Sequence, residues 1–313
     1  MEKVKLGQTG ELVSQFCLGA MYFGTKQNEE ESFALLDQFV EAGGNFVDTA
    51  NIYARWVPNG IGGESETCVG QWIKARGNRE HVFIATKVGF PYQDVPRSLK
   101  ANLIEEECNK SLQRMGIETI DLYYAHNDDR STPLEETLEA FHRLVQAGKV
   151  RYIGASNYLA WRLEEAWWAS HQHGWPTYQC IQQRHTYIRK KHGTTFDPQV
   201  AVNDDLLDYC RNREITLLAY SPLLQGAYTR QDRQFDEKYL GADTENRIAA
   251  LRSVAAEIGA TLSQVVLAWM LGSDPLVLPL VAASTQEQMD ENLGALDIVL
   301  TDEQMERLNT AGP

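Results

Sequence analysis

The sequence predicts an α/β fold, a closed (β/α)8 barrel of the TIM type that forms one domain over residues 1–313. Short apolar runs alternate with longer amphipathic stretches, and no linker rich in Pro, Gly or Ser interrupts them. Eight such units fit the chain length, because a barrel of this type needs roughly 250 residues. Reactive side chains also follow the ends of several predicted strands, and in a barrel those ends form one rim. The alternation of strand and helix patterns alone also fits an open, doubly wound sheet, although such a sheet usually has fewer strands.

The predicted strands are short apolar runs, each bounded by polar residues, Gly or Pro. In chain order they cover residues 16–19, 45–48, 82–87, 120–124, 151–155, 178–182, 216–220 and 276–280. Helical patterns separate and follow these strands, which is the order that a parallel barrel requires.

The predicted helices have apolar residues at the spacing of one helix face. They cover residues 30–42, 64–75, 99–115, 159–170, 200–211, 245–258, 262–271 and 286–295, and a fourth helix in chain order starts at Pro133 and has its end marked by Gly148. The fourth helix has Leu134 and Leu138 on its apolar face. We expect Thr132 to cap it, Pro133 to occupy its first position and Glu135 to complete a capping box.

Composition excludes several classes of protein. Hydrophobic residues make up 43% of the chain and charged residues 23%, which is typical of a globular domain. A net charge of −14 disfavours nucleic acid and anionic membrane surfaces as partners. The five cysteines are scattered, so we expect reduced thiols and no metal site. No apolar run resembles a targeting or spanning segment, and we therefore expect a cytoplasmic protein.

Four residues near the predicted strand ends form an acid–base constellation. Tyr53 follows Asp48 by five residues, Lys87 ends the next strand and His126 follows the strand after that. A Tyr acts as an acid or base near neutral pH only when a cation stabilises its phenolate, and a Lys held by a carboxylate can supply that cation. His126 could donate a hydrogen bond to a substrate oxygen as charge develops there.

The motifs around these residues resemble those of the aldo-keto reductase family, and the resemblance runs essentially from end to end. Residues 44–50 with Tyr53, and residues 63–66 leading to Gly70, resemble the family's first signature. Further similarity lies in residues 86–89, 122–126, 148–157, 219–223 and 279–292.

The resemblance implies a barrel with an N-terminal hairpin and C-terminal rim loops, and an enzyme that interconverts carbonyls and alcohols. Aldehydes, ketones and keto-sugars are the implied substrates. Tyr53 would exchange the proton, Lys87 and Asp48 would tune its acidity, and His126 would orient the carbonyl or alcohol. Hydride would pass directly to or from a nicotinamide.

The resemblance also implies the cofactor site. Ser156, Asn157 and Gln182 would hold the nicotinamide carboxamide, and Tyr220 would stack on the nicotinamide ring. The residues implied at the pyrophosphate are Ser221, Leu223 and Gly226. Those implied at the adenosine end are Ser284, Thr285, Gln288 and Asn292. Thr285 opens a helix whose N-terminal end favours an anion.

Two departures from the family pattern bear on specificity. Many relatives have Gly where Ala282 stands and a cation where Ser284 stands. The usual cation for a 2′-phosphate is therefore missing. Some NADP-dependent relatives have Ser at this position, so NADP(H) is the favoured cofactor, with NAD(H) as the alternative. Residues 54–63 also form a longer loop than usual after the catalytic Tyr, and together with residues 226–242 they are expected to shape substrate access.

Tyr22, Trp56 and Asn127 are the predicted substrate contacts. Trp56 could stack on an apolar sugar face or an aromatic ring. The expected partner is a small carbonyl or alcohol, and the sequence leaves the oligomeric state open. Two other functions also stay open: a cofactor-binding regulatory barrel like the family's channel-associated relatives, and a barrel of unrelated chemistry such as a lyase.

Overall fold

The chain forms a closed parallel barrel in the computed structural model, which describes residues 1–312. Two strands, β1 (Lys3–Lys5) and β2 (Leu12–Ser14), pair as an antiparallel hairpin outside the barrel. The eight barrel strands are β3 (Cys17–Gly19), β4 (Phe46–Asp48), β5 (Phe83–Val88), β6 (Ile120–Ala125), β7 (Val150–Ser156), β8 (Tyr178–Arg184), β9 (Thr216–Tyr220) and β10 (Val277–Val281). Each pairs in parallel with its neighbours, and β10 closes the ring against β3. The (β/α)8 prediction is confirmed.

Ten α-helices lie within residues 1–312. They are α1 (Glu29–Glu41), α2 (Glu64–Arg76), α3 (Ala101–Met115), α4 (Leu134–Gln146), α5 (Ala160–His173), α6 (Asp204–Arg213), α7 (Thr244–Ile258), α8 (Leu262–Leu271), α9 (Gln286–Leu293) and α10 (Asp302–Thr310). Nine of these overlap the predicted helices, and α10 is additional.

Apolar side chains fill the barrel from within and pack it from outside. Phe46 and Phe83 meet edge to face inside the barrel, with ring centroids 5.3 Å apart. The hairpin covers the end opposite the rim, where Leu6 and Val13 are fully buried against the interior cluster. A larger cluster joins the outer faces of the strands to the helices. The rim that carries the polar residues therefore rests on a packed interior.

Strand register brings the predicted reactive residues to one end of the barrel. Asp48 is the last residue of β4 and lies opposite Ala85 of β5. Lys87 pairs with Tyr124 of β6, and His126 directly follows that strand. All of these positions lie at the carboxyl ends of parallel strands, as the barrel prediction requires.

The expected capping box of α4 is wrong. Pro133 occupies the N-cap position, and no side chain caps the helix. The Thr132 hydroxyl instead donates to Asp129 Oδ2 at 2.7 Å. Asp129 lies in the turn before the helix and also accepts from the Leu99 N–H. The Asp129 carboxylate therefore stabilises this turn, and the predicted capping box of Thr132 and Glu135 does not form.

The predicted boundaries differ elsewhere by a few residues. Helix α6 begins at Asp204 rather than at residue 200, because Asn203 caps it and accepts from the Leu206 N–H. The unpredicted helix α10 begins after Thr301, which forms a capping box with Gln304. Within residues 1–312, no single helix has the length and apolarity to cross a bilayer, although α7 and α8, bent by 96°, meet those criteria as a pair.

Candidate active site

A buried Lys–Asp–Tyr cluster occupies the rim side of the barrel. The Lys87 ammonium contacts Asp48 Oδ1 and donates to the Tyr53 hydroxyl at 2.8 Å and to the Thr49 carbonyl at 2.8 Å. These three acceptors use all three ammonium protons. The Tyr53 hydroxyl also lies 3.4 Å from Asp48 Oδ1, and the whole cluster is buried. Lys87 is therefore held with one N–H directed at the phenol oxygen.

Gln182 fixes the other side of the carboxylate. Its Nε2 donates to Asp48 Oδ2 at 2.9 Å, and the Gln182 side chain is buried. Asp48 thus accepts from a cation on one oxygen and from an amide on the other, which satisfies a charge that would otherwise be costly in the barrel interior. The predicted carboxamide ligand Gln182 is, in this structure, a support for Asp48.

Burial sets the protonation preferences of the cluster. It raises the pKa of Asp48 and lowers the pKa of Lys87, while their direct contact opposes both shifts. Burial and the Asp48 charge raise the pKa of Tyr53 well above its usual value. The N–H that Lys87 donates to the phenol oxygen acts in the opposite direction, because it stabilises a phenolate. Tyr53 is therefore a protonated phenol at neutral pH, paired with a group that assists loss of its proton.

His126 faces the same space as Tyr53. The two ring centroids lie 6.1 Å apart, and Phe90 packs edge-on against the imidazole at 4.7 Å. Burial, followed by the Lys87 charge, lowers the pKa of His126 well below its usual value. The imidazole is therefore neutral at physiological pH, and one of its nitrogens carries a proton that it can donate.

The loop that carries Tyr53 is anchored by a buried carboxylate. Asn51 Nδ2 donates to Glu107 Oε2 at 2.8 Å, and the Tyr92 hydroxyl donates to the same oxygen at 2.6 Å. Glu107 belongs to α3 and is almost fully buried. These bonds fasten the loop after β4 to a helix, so the position of Tyr53 is supported from outside the barrel.

Asn157 organises the neighbouring part of the rim. Its Nδ2 donates to the His126 carbonyl at 3.0 Å and to Ser156 Oγ at 3.1 Å. Its Oδ1 accepts from the Tyr220 hydroxyl at 2.8 Å and from the Val200 N–H at 3.0 Å. Gln182 lies opposite Ser156 in the strand register, and its carbonyl accepts from the Asn157 N–H at 3.4 Å. The structure thus brings together all four residues predicted at the nicotinamide, with the Asn157 amide bonded within the protein.

The residues predicted at the pyrophosphate lie in the turn after β9. Ser221 has a φ of 57°, and Leu224, Gln225 and Gly226 have φ values of 48°, 59° and 87°. The Gly226 N–H closes a turn onto the Leu223 carbonyl at 2.9 Å. The Leu224 and Ala227 N–H groups likewise donate to the Ser221 and Leu224 carbonyls, both at 3.3 Å, so this segment is a series of tight turns.

The residues predicted at the adenosine end surround the start of α9. Thr285 is the N-cap and accepts from the Gln288 N–H at 3.3 Å. Gln288 Oε1 accepts in turn from the Ser284 N–H at 2.8 Å, and buried Asn292 donates to the Ala282 carbonyl at 3.2 Å. Ser284 and Thr285 are exposed, so their hydroxyls are accessible to a ligand.

Of the three predicted substrate contacts, Trp56 lies beside Tyr53 and Tyr22 lies beside Trp56. Trp56 is 45% exposed, and its ring meets that of Tyr53 at 6.1 Å and that of Tyr22 at 6.5 Å, both edge to face. Asn127 differs, because it is only 4% exposed and its Nδ2 donates to the Pro198 carbonyl at 2.9 Å. Its side chain is directed into the protein.

Sequence reasoning missed two residues at this rim, Phe90 and Arg97. Phe90 lies two positions after β5 ends. Residues just after a barrel strand lie at the rim, so this position could have identified Phe90 from the sequence. Arg97 lies in the loop before α3 and donates to Asn127 Oδ1. No sequence pattern marked it, because the contact depends on how two rim loops pack.

The described residues also show whether the chain has a metal-ligating cluster or a disulfide bond. Within residues 1–312, no group of three His, Cys, Asp or Glu residues could hold a metal ion. All five cysteines are free thiols and buried. The contacts among Tyr53, Lys87 and His126 suit proton exchange at Tyr53, beside a neutral imidazole donor and a buried cation.

Comparisons with known proteins agree with this geometry. The model of the aldo/keto reductase family matches residues 15–312. An uncharacterized oxidoreductase, YrpG, from Bacillus subtilis is 31% identical, with 100% of this chain and 96% of the relative covered. The aryl-alcohol dehydrogenase [NADP(+)] of Phanerodontia chrysosporium is also 31% identical, with 96% and 83% covered. The crystal structure of a thermostable aldo-keto reductase, Tm1743, with the inhibitor epalrestat superimposes with a TM-score of 0.79, at 31% identity and with both chains fully covered.

Proposed function

Because the chain belongs to the aldo/keto reductase family, whose members are oxidoreductases, we propose that it interconverts a carbonyl and an alcohol with NADP(H). One observation carries the proposal. The Tyr53 hydroxyl receives an N–H from buried Lys87 at 2.8 Å, at the barrel rim and beside His126. A phenol in this setting is built to give a proton to a substrate oxygen and to recover it.

Tyr53 is the proposed proton donor in the reductive direction. Its raised pKa keeps the phenol protonated, so the proton is available when negative charge develops on the carbonyl oxygen. Lys87 then stabilises the phenolate left behind, because its N–H already points at that oxygen. Asp48 and Gln182 keep the ammonium in this position.

His126 is the proposed second donor to the same substrate oxygen. A neutral imidazole can donate a hydrogen bond without adding a positive charge next to Lys87. Edge-on packing by Phe90 limits the movement of the imidazole, which reduces the reorganisation needed during the reaction.

The residues present fit a nicotinamide dinucleotide. Neutral amides and a hydroxyl lie beside the Asp48 cluster, left-handed turns follow β9, and exposed hydroxyls open α9. These groups would hold the carboxamide, the pyrophosphate and the adenosine end in that order. When bound, a nicotinamide supplies or accepts the hydride. The chain's own residues position the carbonyl and exchange the proton.

The choice of NADP(H) rests on a relative, and the residues around α9 limit how its 2′-phosphate would be held. The aryl-alcohol dehydrogenase relative carries NADP(+) in its name. In this chain, residues 282–292 contain no Lys or Arg, so a 2′-phosphate would rely on Ser284, Thr285 and the helix N-terminus. Glu287 competes for the same donors, because its own N–H and the Thr285 hydroxyl lower the pKa of its carboxyl.

A panel of aldehydes, ketones, keto-sugars and alcohols tests the proposed function. Each compound is mixed with the purified protein and either NADPH or NADH, or the oxidised forms, and the absorbance of the reduced nicotinamide is followed. We expect turnover of at least one carbonyl, faster with NADPH. Absence of turnover with every compound, together with no change in NADPH or NADH fluorescence on mixing, would contradict the proposal.

A further inference from the structure

Arg97 is anchored beside the site by a residue that adjoins His126. Its Nη2 donates to Asn127 Oδ1 and lies 3.5 Å from the Asp128 carbonyl. Asn127 is buried and donates in turn to Pro198. Arg97 is exposed, and its guanidinium is held by Asn127, the residue that directly follows His126.

An aromatic ring lies between Arg97 and the reacting centre. The Phe90 centroid is 4.7 Å from the His126 centroid and 6.0 Å from the guanidinium carbon of Arg97. Trp56 presents a second aromatic ring beside Tyr53, with the two ring centroids 6.1 Å apart. A planar apolar group that extends along Phe90 from a carbonyl at Tyr53 and His126 would point toward Arg97.

The charge of Arg97 is not balanced within the protein. Among residues 1–312 its polar contacts are an amide oxygen and a backbone carbonyl, and no carboxylate pairs with it. The nearby Asp128 carboxylate is taken up by Arg130 at 3.1 Å and Arg162 at 3.2 Å. Arg97 thus retains N–H donors that no protein group uses, in a chain whose net charge is −14.

We propose that Arg97 binds a carboxylate of the substrate, and that the preferred carbonyl compounds carry this group across an aromatic ring from the reacting carbon. The inference rests on the proposed carbonyl reduction and names its substrate class. A guanidinium binds a carboxylate through two parallel N–H groups, which favours this anion over a neutral ester of the same shape. Phe90 and Trp56 supply the surfaces for the ring.

Two aldehydes of matched shape test the proposal. The enzyme is assayed with 4-carboxybenzaldehyde and with methyl 4-formylbenzoate, using NADPH at pH 7. We expect kcat/KM for the carboxylate to exceed that for the ester by about tenfold, the effect of a charged hydrogen bond. In Arg97→Gln this selectivity should disappear, chiefly through a higher KM for the carboxylate. In Arg97→Lys it should be intermediate, because the charge remains without the paired N–H geometry.

Lys26→Gln is the matched control, because it removes one exposed positive charge from the far side of the aromatic residues. Lys26 lies over the Tyr22 ring at 4.1 Å, and Tyr22 lies against Trp56. This variant should keep the selectivity for the carboxylate. Equal loss of selectivity in Lys26→Gln would overturn the assignment to Arg97, since it would indicate attraction by the overall field.

The outcomes separate this inference from the proposed function. Turnover of the ester alone reports carbonyl reduction, so an enzyme that reduces both aldehydes equally well retains the function and loses the inference. Failure to reduce either aldehyde or any other carbonyl defeats both. If Arg97→Gln lowers kcat/KM for the two aldehydes by the same factor, Arg97 has only a structural role.

Discussion

Substitution of Lys87 by Met tests how the buried charges are balanced. Lys87→Met removes the ammonium but leaves the Asp48 carboxylate fully buried, with Gln182 and Tyr53 as its remaining donors. Removing one partner of a buried ion pair costs about 3–5 kcal/mol of unfolding free energy. In a chain of 313 residues, that corresponds to a fall in Tm of roughly 5–8 °C. Urea denaturation followed by Trp fluorescence measures the loss.

The double variant Asp48→Asn with Lys87→Met is the matched comparison. It removes both charges while Asn keeps an amide oxygen for Gln182, so we expect it to recover more than half of the stability that Lys87→Met loses. Equal stability of the single and double variants would refute the reasoning, because an unpaired carboxylate would then carry no cost. An unchanged denaturation midpoint in Lys87→Met would refute it as well.

The loss in Lys87→Met should depend on pH. Without the ammonium, burial keeps the folded-state pKa of Asp48 above its unfolded value of about 3.9. The folded state then binds a proton more tightly than the unfolded state, so stability falls as pH rises from the unfolded pKa to the folded pKa. We expect the variant to approach the parent protein near pH 4 and to differ most at pH 8. If the difference in unfolding free energy between the two proteins instead grew toward acid pH, the proposed pH dependence would be wrong.

Two further predictions concern the substrate oxygen and the cofactor. His126→Phe should lower kcat for carbonyl reduction by about 100-fold, the effect of removing one donor to a developing oxyanion. Because the pKa of His126 lies well below its usual value, kcat of the parent enzyme should show no transition between pH 6 and 8; such a transition, if lost in His126→Phe, would contradict the neutral imidazole. Glu287→Gln should strengthen NADPH binding relative to NADH in a fluorescence titration, because it removes a negative charge from the start of α9. An equal change for both cofactors would show that the 2′-phosphate lies elsewhere.

The sequence was sufficient to predict the barrel and the residues around Tyr53 because both follow from local patterns. Strands of a parallel barrel are short apolar runs, and their carboxyl ends meet at one rim whatever the loops do. Asp48, Lys87 and His126 are placed by three such strands. Their convergence is therefore a property of the fold, and the structure confirms that they and Tyr53 lie together.

Features that depend on loop packing were not predictable in the same way. Thr132 has the right spacing for a cap, yet the Asp129 carboxylate competes for its hydroxyl. Asn127 stands beside His126 in sequence, but long-range bonds to Arg97 and Pro198 turn its side chain inward. Such contacts join segments far apart in sequence, so no periodic pattern encodes them.

Helix α10 was missed for a different reason, because the sequence does contain a pattern that predicts its start. Thr301 and Gln304 stand three residues apart and form a capping box, as do Thr261 and Gln264 at the start of α8. The short length and polar composition of α10 concealed it. Its Leu308 is nevertheless buried, and this side chain packs the helix against the barrel's outer layer.

Replacement of Tyr53 by Phe tests the central claim most directly. The substitution removes only the phenol oxygen that Lys87 contacts, and the ring that packs against Trp56 is kept. NADPH binding, measured by fluorescence titration, should stay close to that of the parent protein, while reduction of a good carbonyl substrate should be abolished. Turnover in Tyr53→Phe equal to that of the parent enzyme would contradict the role of Tyr53 as the proton donor.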